Sequence, residues 1–287
     1  MKETYFRLKN MKLMPRFGQG TWHMGEQEDL FEKEVDTLRF GINQGISLID
    51  TAEMYGDGNA EIVVSEAIKG IDRKKLFIVD KILPINANKY NFYNSLTSSL
   101  KRLKTDYIDM YLLHWRYENN LEEVIKLMKE AKNKGLIKNW GVSNFDTDDM
   151  EELLSLKDGN NCSINQCLYN ISSRGVEYNL IPLLKKNNIG FMAYCPLAQP
   201  YEKREFELIK NNKILNQIAK KYNVSIYAIM IAFTLRKNMF ISIPKASNKE
   251  HIMDNIKGAE LKVDEKDWDL LDNEFKAPSY KTPLDIR

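Results

Sequence analysis

The sequence predicts an α/β protein, a closed (β/α)8 TIM barrel with an N-terminal β-hairpin and extra helices after strands 7 and 8. Three observations carry that expectation. Short β-rich apolar runs alternate with segments of helical period from end to end, and the runs number eight. The runs are apolar nearly throughout, as in strands of a parallel sheet covered by helices on its faces. Three successive runs end in an ionisable side chain, Asp50, Lys81 and His114, at intervals of about thirty residues, the length of a βα unit.

In chain order, 5–8 and 12–14 flank Lys9-Asn10-Met11 and suit a hairpin ahead of the barrel. Strand candidates follow at 17–21, 46–50, 76–82, 107–114, 137–142, 163–169, 190–195 and 240–244. Between them, 121–134 places Leu121, Val124, Ile125 and Met128 at helical spacing, and 226–235 is equally apolar on that period. Thr147 marks a helix start and Gly135 a helix stop. Helical segments at 212–222 and 225–237 follow the seventh strand, and 264–275 follows the eighth unit. No Gly/Ser linker or compositional break interrupts 1–287, so one domain is expected.

Composition narrows the function. A net charge of +2 with interspersed signs gives no basic stripe, so no nucleic-acid partner is expected. Cys162, Cys167 and Cys195 are odd in number and lack C-x-x-C spacing, which argues against a disulfide framework and a zinc site. With His23, His114 and His251 the only histidines, no metal is expected. Met1-Lys-Glu-Thr-Tyr5 opens no apolar h-region and no apolar run reaches spanning length. A reducing, cytoplasmic setting, no membrane partner and a monomer are expected.

A barrel of this kind carries its active site at the C-terminal ends of its strands, where Asp50, Lys81 and His114 fall. Tyr55 follows Asp50 by five residues. A tyrosine, a cation and an imidazole at one face are the parts needed to deliver a proton to a carbonyl oxygen. A free tyrosine, with a pKa of about 10, gives up its proton reluctantly. A neighbouring Lys81 ammonium is expected to lower that value, with Asp50 fixing the lysine. The rival for Lys81 is a Schiff-base amine of a barrel aldolase.

The set Asp50-Thr-Ala-x-x-Tyr55-Gly, Lys81, Leu-Leu-His114-Trp115 and Gly141-Val-Ser-Asn-Phe145, with Ile243-Pro-Lys245 and Asp254-Asn255, resembles the aldo-keto reductase family over essentially the whole chain. Ser173-Arg-Gly-Val-Glu-Tyr178, Tyr194-Cys-Pro-Leu-Ala-Gln199, Lys281-Thr-Pro-Leu-Asp285 and the longer continuation after Tyr55 are similar to bacterial methylglyoxal reductase-like members. The resemblance implies a barrel that binds a nicotinamide cofactor without a Rossmann fold. Consistently, Gly18-Gln-Gly20 lacks the third glycine of the dinucleotide fingerprint.

By the same resemblance, Tyr55 is the proton donor and His114 orients the carbonyl, with Trp22 and Trp115 beside the substrate. Ser143, Asn144 and Gln166 hold the nicotinamide carboxamide, Tyr194 stacks on its ring, and Gly20, Thr21, Trp22 and Asp50 lie nearby. Leu197, Ala198 and Gln199 run along the pyrophosphate, with Cys195 and Pro196 among the cofactor-binding residues. Lys245, Ser247, Asn248, His251, Asp254 and Asn255 surround the adenosine end, with Ile243, Pro244 and Ala246 also among the cofactor-binding residues. Ala246 and His251 replace the family's usual serine and arginine contacts to the 2′-phosphate, while Lys245 remains. NADPH is the expected cofactor, and NADH use stays open.

The connection after Trp115 is short and little follows Phe275, so an open site for small aldehydes is expected, with methylglyoxal and other α-dicarbonyls favoured. A nicotinamide redox sensor with little catalysis is the alternative from another class.

Overall fold

A ring of eight parallel strands forms the centre of the computed structural model, which describes residues 1–198 and 203–286. Ahead of it, β1 (Tyr5–Arg7) and β2 (Leu13–Pro15) pair antiparallel with Phe6 opposite Met14. The ring runs in chain order through β3 (Gly18–Gly20), β4 (Leu48–Asp50), β5 (Phe77–Ile82), β6 (Ile108–Leu113), β7 (Ile137–Ser143), β8 (Ile164–Leu168), β9 (Gly190–Tyr194) and β10 (Phe240–Ser242). A bridge between Phe17 and Ser242 closes it, and the Gly20 N–H donates to the Pro244 carbonyl at 3.0 Å. The expected barrel and hairpin are therefore present. Several strands, β3, β4 and β10 among them, are shorter than the apolar runs that announce them, although single backbone hydrogen bonds such as Thr21 N–H to the Asp50 carbonyl continue past their ends.

The period of two along a strand decides which side chains meet at the centre. Leu48, Val79, Met110, Leu112, Ile164, Met192 and Ile241 fill the barrel interior, and Leu8 and Met14 of the hairpin join this cluster and close its lower end. Asp50 lies two residues beyond Leu48, Lys81 two beyond Val79 and His114 two beyond Leu112. Each therefore points inward, one layer above the apolar plug. Ile49, Ile78, Tyr111, Leu113 and Phe191, of opposite parity, pack outward against the helices.

The helices are α1 (Phe31–Asn43), α2 (Asn59–Ala67), α3 (Phe92–Leu103), α4 (Leu121–Asn133), α5 (Thr147–Ser155), α6 (Leu180–Lys186), α7 (Lys203–Lys210), α8 (Lys213–Lys221), α9 (Ile226–Leu235), α10 (Lys249–Glu260) and α11 (Glu265–Glu274). Side-chain caps fix several starts: the Asn120, Asn212, Ser225 and Asn248 oxygens each accept a first-turn N–H. Asp146 and Asp149 form a capping box ahead of Thr147. Gly135 follows α4 at φ +77°, the left-handed conformation that ends a helix. The sequence reading did not anticipate α7, whose Lys203-Arg-Glu-Phe-Glu-Leu-Ile-Lys210 has few apolar positions to show a period.

Among the described residues, no helix is long and apolar enough to cross a membrane, and no group of three or more His, Cys, Asp or Glu side chains is placed to hold a metal.

Candidate active site

A cavity of about 770 Å³ opens at the C-terminal ends of the strands, large enough for an extended cofactor segment or a small ligand. Its wall includes Asp50 at the end of β4, Tyr55 and His114 from the loops after β4 and β6, Ser143 at the end of β7 and Asn144 beyond it, Gln166 on β8, Tyr194 at the end of β9 and Cys195 through Ala198 after it. Gly20, Trp22, Ile243, Pro244 and Lys245 complete the arc where β10 meets β3.

Lys81 is fully buried beneath this floor. Its Nζ donates to Asp50 Oδ2 at 2.7 Å and to the Thr51 carbonyl at 2.9 Å, and lies 4.7 Å from the centroid of the Tyr55 ring. The other Asp50 oxygen accepts from Gln166 Nε2 at 2.7 Å. Burial raises the Asp50 pKa, while the Lys81 charge and the Lys81 and Gln166 hydrogen bonds oppose the rise.

Tyr55 starts a tight turn and is held in place by the next residue. Gly56 has φ +55°, and a Cβ there would meet the Met24 carbonyl at 2.9 Å, so only glycine lets the loops after β3 and β4 close on each other. The Tyr55 and His114 rings meet edge to face, centroids 5.7 Å apart.

The phenol departs from expectation. Burial pushes the Tyr55 pKa well above the usual tyrosine value, and the Asp50 carboxylate adds to the rise. The expected lowering by Lys81 does not prevail, because burial and then the Asp50 charge raise the value. The phenol is therefore held protonated, the form that can donate. For His114, burial and then Lys81 push the pKa well below 6.5, which favours the neutral imidazole. Its Nδ1 is buried without a partner, leaving Nε2 as the nitrogen available to a ligand.

The amide group forms a network of its own. Ser143 Oγ donates to the Gln166 carbonyl at 2.9 Å, Asn144 Nδ2 donates to the His114 carbonyl at 3.1 Å, and the Tyr194 hydroxyl donates to Asn144 Oδ1 at 2.8 Å. Asn144, Cys195 and Ala198 have positive φ, so the β7 and β9 loops turn sharply over the strand ends. The Ser143 hydroxyl and the Asn144 carbonyl oxygen each keep a lone pair to offer a ligand N–H. Thr21 is buried behind the wall, its Oγ1 donating to the Asp50 carbonyl at 3.0 Å. Trp115 is half-buried against His114, ring centroids 4.9 Å apart.

The adenosine-end residues are scattered more widely. The cavity reaches Lys245, but its wall does not include Ala246, Ser247, Asn248, His251, Asp254 or Asn255. Ala246 is buried among Phe17, Ile46, Ile231, Ile252 and Ile256. Asn248 caps α10 through the His251 N–H at 2.8 Å, and the exposed His251 lines a shallow depression with Phe40, Asp254 and Lys257. Asp254 accepts from Ser225 Oγ, tying α10 to α9, and Asn255 is buried. Gln199 lies outside the described residues.

The structure adds wall residues that sequence reading passed over: His23, Glu26, Gln27, Leu30 and Glu34 from the loop after β3 and the start of α1, Met54, and Phe206 and Tyr227 from α7 and α9. The left-handed φ of His23 and Gly25 was the available signal, visible in the sequence only as a glycine beside a histidine and an acidic run.

Fold and site together define a barrel oxidoreductase, and the chain belongs to the aldo/keto reductase family, whose family model matches residues 16–274. Methylglyoxal reductase YeaE of Escherichia coli strain K12 is 43% identical over 273 residues, 95% of each chain. The NADH-specific methylglyoxal reductase of the same strain is 26% identical over 309 residues, covering 90% of this chain and 94% of that one. An aldo-keto reductase from Klebsiella pneumoniae, solved in complex with NADPH, superposes over 100% of both chains with a TM-score of 0.94 at 39% identity. The chain is thus an aldo-keto reductase by family.

Proposed function

We propose that this protein reduces small aldehydes and ketones with NADPH, with methylglyoxal and other α-dicarbonyls as the favoured substrates and Tyr55 as the proton donor. The observation that carries the proposal is the Tyr55 phenol packed edge to face with His114, both on one cavity wall above the buried Lys81–Asp50 pair. The bound nicotinamide would supply hydride to the carbonyl carbon. His114 and the Tyr55 hydroxyl offer two hydrogen-bond donors to the carbonyl oxygen, which fixes its orientation. As charge grows on that oxygen it takes the Tyr55 proton. The phenolate then faces the Lys81 cation, which Asp50 and Thr51 hold still. Ser143, Asn144, Gln166 and Tyr194 would hold the nicotinamide, and Lys245 would face the cofactor's phosphates. The NADPH complex of the Klebsiella relative and the name of the YeaE relative support the cofactor and the substrate.

The aldolase alternative is disfavoured, since Lys81 Nζ is fully buried and spends two hydrogen bonds within the protein. A redox sensor would not need the complete proton-delivery set. The test is a fluorescence titration with NADPH and, separately, NADH, followed by methylglyoxal turnover. Tyr55→Phe should lower kcat by about 10²–10⁴-fold while NADPH binding persists. Retained turnover would move the acid elsewhere, and absence of binding to either nucleotide would remove the reductase reading.

A further inference from the structure

We propose that the cavity discriminates by charge, taking neutral carbonyl compounds and excluding those that carry a carboxylate, with Glu26 as the specificity-determining residue; this rests on the reductase reading above. The argument is an inventory of charge on the wall. Among the described residues, the carboxylates there are Glu26, Glu34 and Asp50, and the lysine is Lys245. Asp50 is cancelled by Lys81, which no ligand can reach. His114 is held neutral, so it offers no cation to an anionic substrate.

The remaining groups point the same way. His23 stacks on Trp22 with ring centroids 4.3 Å apart, and its Nδ1 lies 2.8 Å from Glu26 Oε1. Any positive charge on that imidazole is therefore already met by a carboxylate. Glu34 accepts the Gly25 N–H at 2.8 Å, which pins the loop carrying Glu26 to the start of α1. Lys245 follows β10 and is given to the cofactor. Arg116, just beyond His114-Trp115, is not on the wall and is bound to Glu152 and to the Tyr117 and Asn119 carbonyls.

A carboxylate arriving with its carbonyl at Tyr55 and His114 thus loses water without finding a counter-charge, in a cavity whose wall carries Glu26. Excluding a ligand by unpaired and like charge is discrimination by repulsion. A neutral α-dicarbonyl meets Trp22, Met54 and Leu30 on the same wall and pays no such penalty.

The test uses the full chain at saturating NADPH with two aldehydes of similar shape, neutral 4-nitrobenzaldehyde and anionic 4-carboxybenzaldehyde. Effects on the cofactor cancel in the ratio of their kcat/KM values. The wild-type ratio should favour the neutral aldehyde at least tenfold. Glu26→Gln should narrow it by about three- to tenfold, the scale of one partly screened charge, and Glu26→Lys by more. Higher salt should narrow the wild-type ratio as well. Equal use of both aldehydes by the wild type, or a ratio indifferent to both substitutions, would overturn the inference while leaving the reductase reading intact. A protein that binds NADPH and reduces neither aldehyde would overturn the reading and the inference together.

Discussion

Replacing Lys81 with methionine tests the foundation of the site, because it leaves Asp50 buried at 2% exposure with its cation gone. Removing one partner of a buried ion pair costs about 3–5 kcal/mol. Unfolding entropy is about 2.1 cal/mol/K per residue near 60 °C, which for 287 residues is about 0.6 kcal/mol/K. The expected fall in Tm is therefore about 5–8 °C at neutral pH. Burial already raises the Asp50 pKa, and the Lys81 charge and hydrogen bond are the two leading opposing influences. Without them the folded-state value rises further above the unfolded one. A raised carboxyl contributes stability that is fully present below about pH 4, its unfolded pKa, and is lost as pH rises through the folded value. The deficit of Lys81→Met should therefore shrink as pH falls from 8 to 5, because Asp50 takes up a proton and ceases to be an unpaired charge. Asp50→Asn in the same chain should recover much of the loss for the same reason. Thermal unfolding followed by circular dichroism across that range reads all three quantities. A pH-independent deficit, or a double variant no more stable than the single one, would refute the account of Asp50 as a charge kept by Lys81.

Two further outcomes follow from the geometry. His114 has a folded pKa depressed by burial and by Lys81, so its contribution to stability is present above about pH 6.5 and is lost as pH falls through the folded value. Urea midpoints measured from pH 7 to 5 should fall less steeply in His114→Gln than in the wild type, and equal slopes would assign the titration to another group. His251→Arg should tighten NADPH about ten- to hundredfold, the worth of one charge-assisted contact of about 1.5–3 kcal/mol, with little effect on NADH. Equal gains for both nucleotides would show that this exposed helix start does not face the 2′-phosphate.

Much of this site is local in origin. Inward orientation of Asp50, Lys81 and His114 follows from the two-residue period that also places Leu48, Val79 and Leu112 inside, and that period is written in the sequence. A helix start was legible at Thr147, since a cap needs only neighbouring residues. The sequence likewise carried the eight apolar runs, and with them the barrel. Tertiary structure decided what depends on residues distant in the chain. It set the Tyr55 phenol high rather than low, because burial, and after it the Asp50 charge, raise the value. It joined Glu26 and His23 to the cavity through a loop whose left-handed turns leave no periodic trace. It set Ala246 against an apolar cluster and His251 on an exposed helix start, because where strand β10 ends and how α10 packs on α9 are fixed only when the ring closes. Period and capping are properties of neighbours in sequence, whereas charge balance and cavity lining are sums over neighbours in space.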